Sequence, residues 1–140
     1  MNLTATTMVD APPQALFDLL NDPDRLAALT EALTLEADGD DRWQASATFQ
    51  GREETAQLDR VAAETPERIA YVATARGLEL TATAQIGAEG AGSALGVDLS
   101  LVSRSMKGKM MLQGLKLAQP QLEKGLGRLL DRLAREASAA

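Results

Sequence analysis

Between Leu33 and Leu101 the apolar residues return at every second position, and from Met106 onward they return at every third or fourth. A period of two sends side chains alternately to the two faces of a strand, whereas a period of 3.6 gathers them on one stripe of a helix. The chain is therefore committed to an α+β arrangement in which a run of strands precedes one long C-terminal helix.

The strands are legible one by one. Trp43, Ala45, Ala47 and Phe49 alternate with Gln44, Ser46, Thr48 and Gln50. Ile69, Tyr71 and Ala73 form a later inward set, followed by Leu78, Leu80, Ala82, Ala84 and Ile86, and then by Leu95, Val97, Leu99 and Leu101. Short turns at Asp38–Asp41, Thr65–Glu67 and Gly87–Gly92 predict an antiparallel meander. Val61 leaves the parity set by Ala56 and Leu58, so a bulge or a strand end is expected there. Ahead of these, Asn2–Val9 reads as a first strand with Leu3, Ala5, Thr7 and Val9 inward. Asp10 before Ala11-Pro12-Pro13 reads as the N-cap of a short helix, and Asp22-Pro23 starts a second one.

In the final segment Met111, Leu115, Ala118, Leu122, Leu126, Leu129 and Leu133 fall within an arc of about 80°, the width of a core-facing stripe. Pro120, with Gly114, Gly125 and Gly127 around it, predicts a bend near the middle. A helix of roughly 45 Å can be covered only by a strongly curved sheet.

At 140 residues the chain can bury one core, and a single domain over 1–140 is expected. It holds neither cysteine nor histidine, which removes disulfides, thiolate nucleophiles, zinc-thiolate sites and any Ser-His-Asp or Cys-His arrangement. Asp38, Asp40 and Asp41 lack the twelve-residue calcium-loop pattern and read as a solvated turn. The glycines at 87, 90, 92 and 96 precede a strand, where a phosphate cradle needs a helix N-terminus. No cofactor and no metal are expected. Few aromatics and a net charge of −6 speak against nucleic acid. Without a signal-like N-terminus or a membrane-length apolar run, a cytoplasmic location is expected.

The charge is divided unevenly. Residues 1–103 hold six basic and 17 acidic side chains, and residues 104–140 hold eight basic and three acidic. Either a basic helix packs beside an acidic sheet, or that helix offers a docking face to an anionic partner or membrane. Glu79, Asp98 and Asp59 all alternate outward, so the inward face lacks an evident general acid or base. Tyr71 is the inward phenol, placed to orient a polar ligand end or to satisfy its hydroxyl locally as a core residue. Arg76 and Arg104 lie near strand ends, at a cavity mouth or as surface partners of the many acids. Ala45, Ala47, Ala56, Ala73, Ala82 and Ala84 are small wall positions, and Met106, Met110 and Met111 cluster where the helix begins. Such walls leave either a void suited to a ligand or a core closed by the helix's leucines.

The stretch from Val9-Asp10-Ala11-Pro12-Pro13 through Phe17-Asp18-Leu19-Leu20-Asn21-Asp22-Pro23 to Leu26 resembles the opening pattern of the START-like superfamily, also labelled SRPBCC. That superfamily includes polyketide cyclases and lipid-transport domains, and its order of elements matches this chain throughout. The resemblance implies a helix-grip fold, in which a curved antiparallel sheet of about seven strands wraps a long C-terminal helix, with two short helices after the first strand and a cavity between sheet and helix. The Gly/Met-containing helix is more distantly similar to a subgroup of carbon monoxide dehydrogenase accessory proteins, which act in maturation and membrane recruitment. The expected function is binding or transport of a small hydrophobic ligand such as a lipid, quinone or polyketide-like compound. Its expected lining is Trp43, Phe49, Tyr71, Leu80, Val97, Leu99, Met111, Leu115 and Leu122. The alternatives are a cyclase or hydratase in the same cavity, and a recruitment protein that uses the basic helix to meet a membrane or protein partner.

Overall fold

Seven strands pair antiparallel throughout, as the short turns require: β1 (Asn2–Val9), β2 (Leu33–Ala37), β3 (Arg42–Phe49), β4 (Arg52–Glu64), β5 (Arg68–Ala75), β6 (Leu78–Glu89) and β7 (Gly92–Ser103). This is a computed structural model, and it describes residues 1–29, 33–49 and 51–139, with Phe49 described by its backbone alone. The spatial order is β1-β7-β6-β5-β4-β3-β2. The first two strands thus form opposite edges, and the segment joining them, with helices α1 (Pro13–Leu20) and α2 (Pro23–Ala27), must cross the sheet.

Register aligns the apolar parities into rows. Leu3, Leu99, Ala82 and Tyr71 stand side by side on four neighbouring strands, and Leu101, Leu80, Ala73, Leu58 and Trp43 form a parallel row on five. In β4 the register slips between Arg60 and Ala62, so the anomaly at Val61 is a bulge and the strand runs on to Glu64. Val61 itself is exposed.

The first helix departs from the expected cap. Pro12, not Asp10, takes the N-cap position, and no side chain caps it; the proline ring sets the entry angle where a missing N–H costs nothing. Asp22 does cap α2, accepting from the Arg25 amide at 3.3 Å.

The C-terminal segment is two helices, α3 (Met106–Leu117) and α4 (Gln119–Ala139), broken at Ala118. Pro120 supplies the cause: it cannot donate in a helix interior but is tolerated in a first turn. The buried stripe nevertheless runs on in phase across the break, since at 100° per residue Gly108 and Leu112 of α3 fall at the same angles as Leu126 and Leu130 of α4. Leu126, Leu130, Leu133 and Ala137 form the buried stripe of α4, with Leu130 only 1% exposed, while Leu129, expected inward, is 39% exposed. The main core lies where α1 and α4 press on the concave face: Leu16, Phe17, Leu19, Ile69, Leu95 and Leu130 are almost wholly buried, each such burial contributing about 1.5–3 kcal/mol. Ser93 is buried with them and donates to the Ala11 carbonyl at 2.7 Å.

The start of α3 is locked onto the β5–β6 turn. Ser105 caps the helix by accepting from the Gly108 amide at 3.0 Å, and the Gly77 carbonyl accepts from the Arg104 amide at 2.6 Å. Gly77 has φ +76°, and Gly108 lies so close that a Cβ there would strike the Gly77 carbonyl. The whole is a helix-grip fold: a curved antiparallel sheet holding a long C-terminal helical segment, with two short helices after the first strand. Among the described residues no helix is long and apolar enough to cross a membrane.

Candidate functional site

Past the main core, α4 and the sheet part to leave a cavity of about 330 Å³. Its floor is made by Ile69, Tyr71, Leu80, Ala82, Thr83, Ala84, Val97 and Leu99 of the sheet. Its roof comes from Leu126, Leu129, Leu130 and Leu133 of α4, and Leu20, Leu26 and Leu33 close the end next to α2 and β2. The void follows from the alanines at 82 and 84, which stand in register beneath the helix and do not reach it. Leu129, part-exposed, sits at the mouth. Beside it the Arg132 guanidinium donates to the Leu29 carbonyl at 3.2 Å and ties α4 to the end of α2.

Tyr71 is the one titratable side chain of this lining, and its hydroxyl donates to the Leu20 carbonyl at 2.6 Å. Burial pushes its phenol up to about 12, with nearby Arg60 opposing the shift. The phenol therefore stays neutral and serves to tether α1 to the sheet.

Arg60, opposite Tyr71 across the β4–β5 ladder, forms a latch at the same end. Its Nη1 donates to the carbonyl and side-chain oxygens of Asn21 at 2.9 Å, its Nε donates to Asp41 at 2.8 Å, and its guanidinium lies 5.3 Å from the centre of the Trp43 ring. Sequence reasoning singled out Trp43 for its inward parity but passed over Arg60, because the alternation of β4 looks spoiled at Val61.

A second cavity of about 250 Å³ adjoins the first at Leu80. Ala56, Ala73, Ala75, Leu78 and Leu101 line it from the sheet, and Met111 of α3 lies over it. Glu54 and Arg76 complete it, paired at 2.9 Å between Arg76 Nε and Glu54 Oε2. This corrects the expectation of a face without carboxylates: Glu54 shares the parity of Ala56 and Leu58 and points the same way. Arg104, the other candidate at a strand end, pairs instead with Glu79 at 3.1 Å.

Of the nine residues expected to line a cavity, Tyr71, Leu80, Val97 and Leu99 meet around the larger one and Met111 reaches the smaller. Trp43 lines neither cavity and stacks with Arg60. Leu115 and Leu122 are half-buried packing residues outside both linings. The side chain of Phe49 lies outside the described residues. Met106 and Met110 also differ from expectation: they face solvent, on the side of α3 away from the cavity. The lining leucines of α1, α2 and α4 were recognisable as apolar, but only their packing against the sheet shows which of them face the void.

No protein-family model matches the chain, and no curated protein matches it by sequence. Among solved structures it is similar to TTHA0849 from Thermus thermophilus, with 19% identity and a TM-score of 0.76 over 99% of this chain and 98% of that one. It is similar to Ara h 8.0201, with 15% identity and a TM-score of 0.70 over 100% of this chain and 99% of that one. It also matches the di-domain ARO/CYC protein BexL from the BE-7585A biosynthetic pathway, at 15% identity and a TM-score of 0.63, where all of this chain spans 50% of that protein. At such identities the likeness is one of architecture, and what the chain shares with these proteins is the helix-grip fold.

Proposed function

We propose that this chain is a START-like protein that binds or carries a small, predominantly apolar molecule in the cavity between α4 and the sheet. The observation that supports the reading best is the lining itself: about 330 Å³ walled almost entirely by apolar side chains, with the Tyr71 hydroxyl already bonded to the Leu20 carbonyl. Interiors normally close without such voids, and an apolar guest that fills one removes its walls from water. The volume suits on the order of a dozen non-hydrogen atoms, a compact ring system or a short acyl segment. A lipid tail, a quinone ring or a polyketide-like compound would meet those limits.

The experiment is a titration with N-phenyl-1-naphthylamine, an uncharged dye whose emission rises in apolar surroundings, followed by extraction and mass spectrometry of co-purifying small molecules. Saturable, blue-shifted binding that Ala82→Leu weakens supports the reading. A protein that binds no dye and carries no extractable apolar compound removes it.

A cyclase- or hydratase-type reaction is the second reading, favoured by Glu54 and Arg76 on the smaller cavity and by the shared fold with an ARO/CYC protein. In it Glu54 would exchange the proton while Arg76 held a developing oxyanion. Glu54→Gln separates the two readings: it abolishes turnover of a polyketide-like substrate if the cavity catalyses and leaves dye binding unchanged if the cavity only holds.

A further inference from the structure

Helix α3 carries two apolar faces, and the fold uses one of them. At 100° per residue, Gly108, Met111, Leu112 and Leu115 gather on one side, where Gly108 and Leu112 are buried and Met111 lies over the smaller cavity. Met106, Met110 and Leu117 gather on the opposite side within an arc of about 40°. These three are 78%, 72% and 86% exposed. Between the faces stand lysines: Lys107 on one flank, Lys109 and Lys116 on the other. A helix with an apolar ridge away from its own core is expected to bury that ridge against something else.

We propose that this outer face of α3 docks on the surface of an anionic lipid bilayer. The charge pattern selects the occupant. From Arg104 to Leu122 the chain holds four basic residues and no carboxylate, whereas residues 1–103 hold 17 acidic side chains against six basic ones. An anionic surface therefore attracts α3 and repels the rest of the molecule, which fixes the orientation of approach. The ridge is narrow and the lysines flank it on both sides. That arrangement lets unbranched methionines and a leucine enter the headgroup boundary while the ammonium groups reach lipid phosphates from alongside. Docking by this face would leave α3 between the bilayer and the smaller cavity, because Met111 lies on the inner side of the helix.

The test is co-sedimentation of the full chain with phosphatidylcholine vesicles, with and without about 30% phosphatidylserine, in low salt and in about 0.5 M salt. The protein is expected to sediment with the serine-containing vesicles in low salt, to stay in solution with pure phosphatidylcholine, and to be released by salt. Lys107→Glu, Lys109→Glu and Lys116→Glu should each weaken binding about fivefold or more. Leu117→Ser with Met110→Ser should weaken it at least ~10-fold; both side chains are exposed, so unchanged circular dichroism and melting show that the fold is kept. Absence of binding to serine-containing vesicles in low salt overturns the proposal. So does binding indifferent to the Met110 and Leu117 changes, or a concentration-dependent dimer that Leu117→Ser dissolves while vesicle binding is lacking, which would assign the ridge to a second copy of the chain. Dye binding in the cavity is independent of all these outcomes.

Discussion

Replacing Ala82 by leucine should make the protein more stable and a poorer binder at the same time. Ala82 stands on the floor of the larger cavity, in register between Tyr71 and Leu99. The substitution adds three carbon groups to a void of about 330 Å³, so the new side chain has room in a normal rotamer. Burying them contributes about 0.8 kcal/mol each, from which about 0.5–1 kcal/mol of lost rotamer freedom is subtracted, leaving a gain of about 1–2 kcal/mol. For a domain of this size that raises the melting temperature by roughly 3–6 °C. The guest loses the same space, and affinity for N-phenyl-1-naphthylamine should drop at least ~10-fold. Differential scanning calorimetry and the dye titration read the two effects separately. If the region were closed in solution, overpacking would lower stability by about 1–3 kcal/mol. A fall in melting temperature, or a stabilised protein with undiminished dye affinity, would refute the reasoning.

Two glycines in the C-terminal helices should respond oppositely to the same change. Gly125→Ala, where a Cβ meets nothing within 4 Å, should stabilise by up to ~1 kcal/mol through helix propensity. Gly108→Ala, whose Cβ would strike the Gly77 carbonyl, should destabilise by about 1–3 kcal/mol; chemical denaturation measures both. Tyr71 makes stability sensitive to alkali, because its phenol is pushed up to about 12 by burial while the unfolded chain releases the proton near the ordinary value of 10. The stabilisation is complete below pH 10 and declines by at most about 2 kcal/mol as pH rises from 10 to 12; Tyr71→Phe should remove that part of the slope in urea melts at stepped pH. Substituting Leu130, 1% exposed in the α4 stripe, by alanine should cost about 2–5 kcal/mol in the same melts.

Most of the architecture is written in the period of the sequence. The alternation from Trp43 to Leu101 specifies the inward rows that register then aligns, and the prolines at 12, 13 and 23 announce the two short helices. What sequence periodicity misses are places where a local event shifts the phase. The bulge at Val61 conceals that Arg60 points back toward Trp43 and Asn21, while in α4 the buried stripe centres on Leu126, Leu130 and Leu133, to one side of the apolar arc, so that Leu129 at its edge stays part-exposed. Glu54 was hidden for another reason. Its parity was readable, but a carboxylate at the end of a strand is ordinarily solvated, and only tertiary structure brings Arg76 within 2.9 Å of it. Met106 and Met110 show the limit of composition: methionines at the start of a cavity helix suggest a lining, yet 100° per residue separates Met110 from Met111 and sends them to different sides.

The most direct test of the central claim is methyl nuclear magnetic resonance with ¹³C-labelled isoleucine, leucine and methionine side chains and saturating N-phenyl-1-naphthylamine. Bound dye is expected to show through-space contacts to the methyls of Ile69, Leu80, Leu99 and Leu130, the walls of one enclosure. Contacts confined to Met106, Met110 and Leu117, with the four wall methyls unmoved, would contradict it and place the guest on the outside of the molecule.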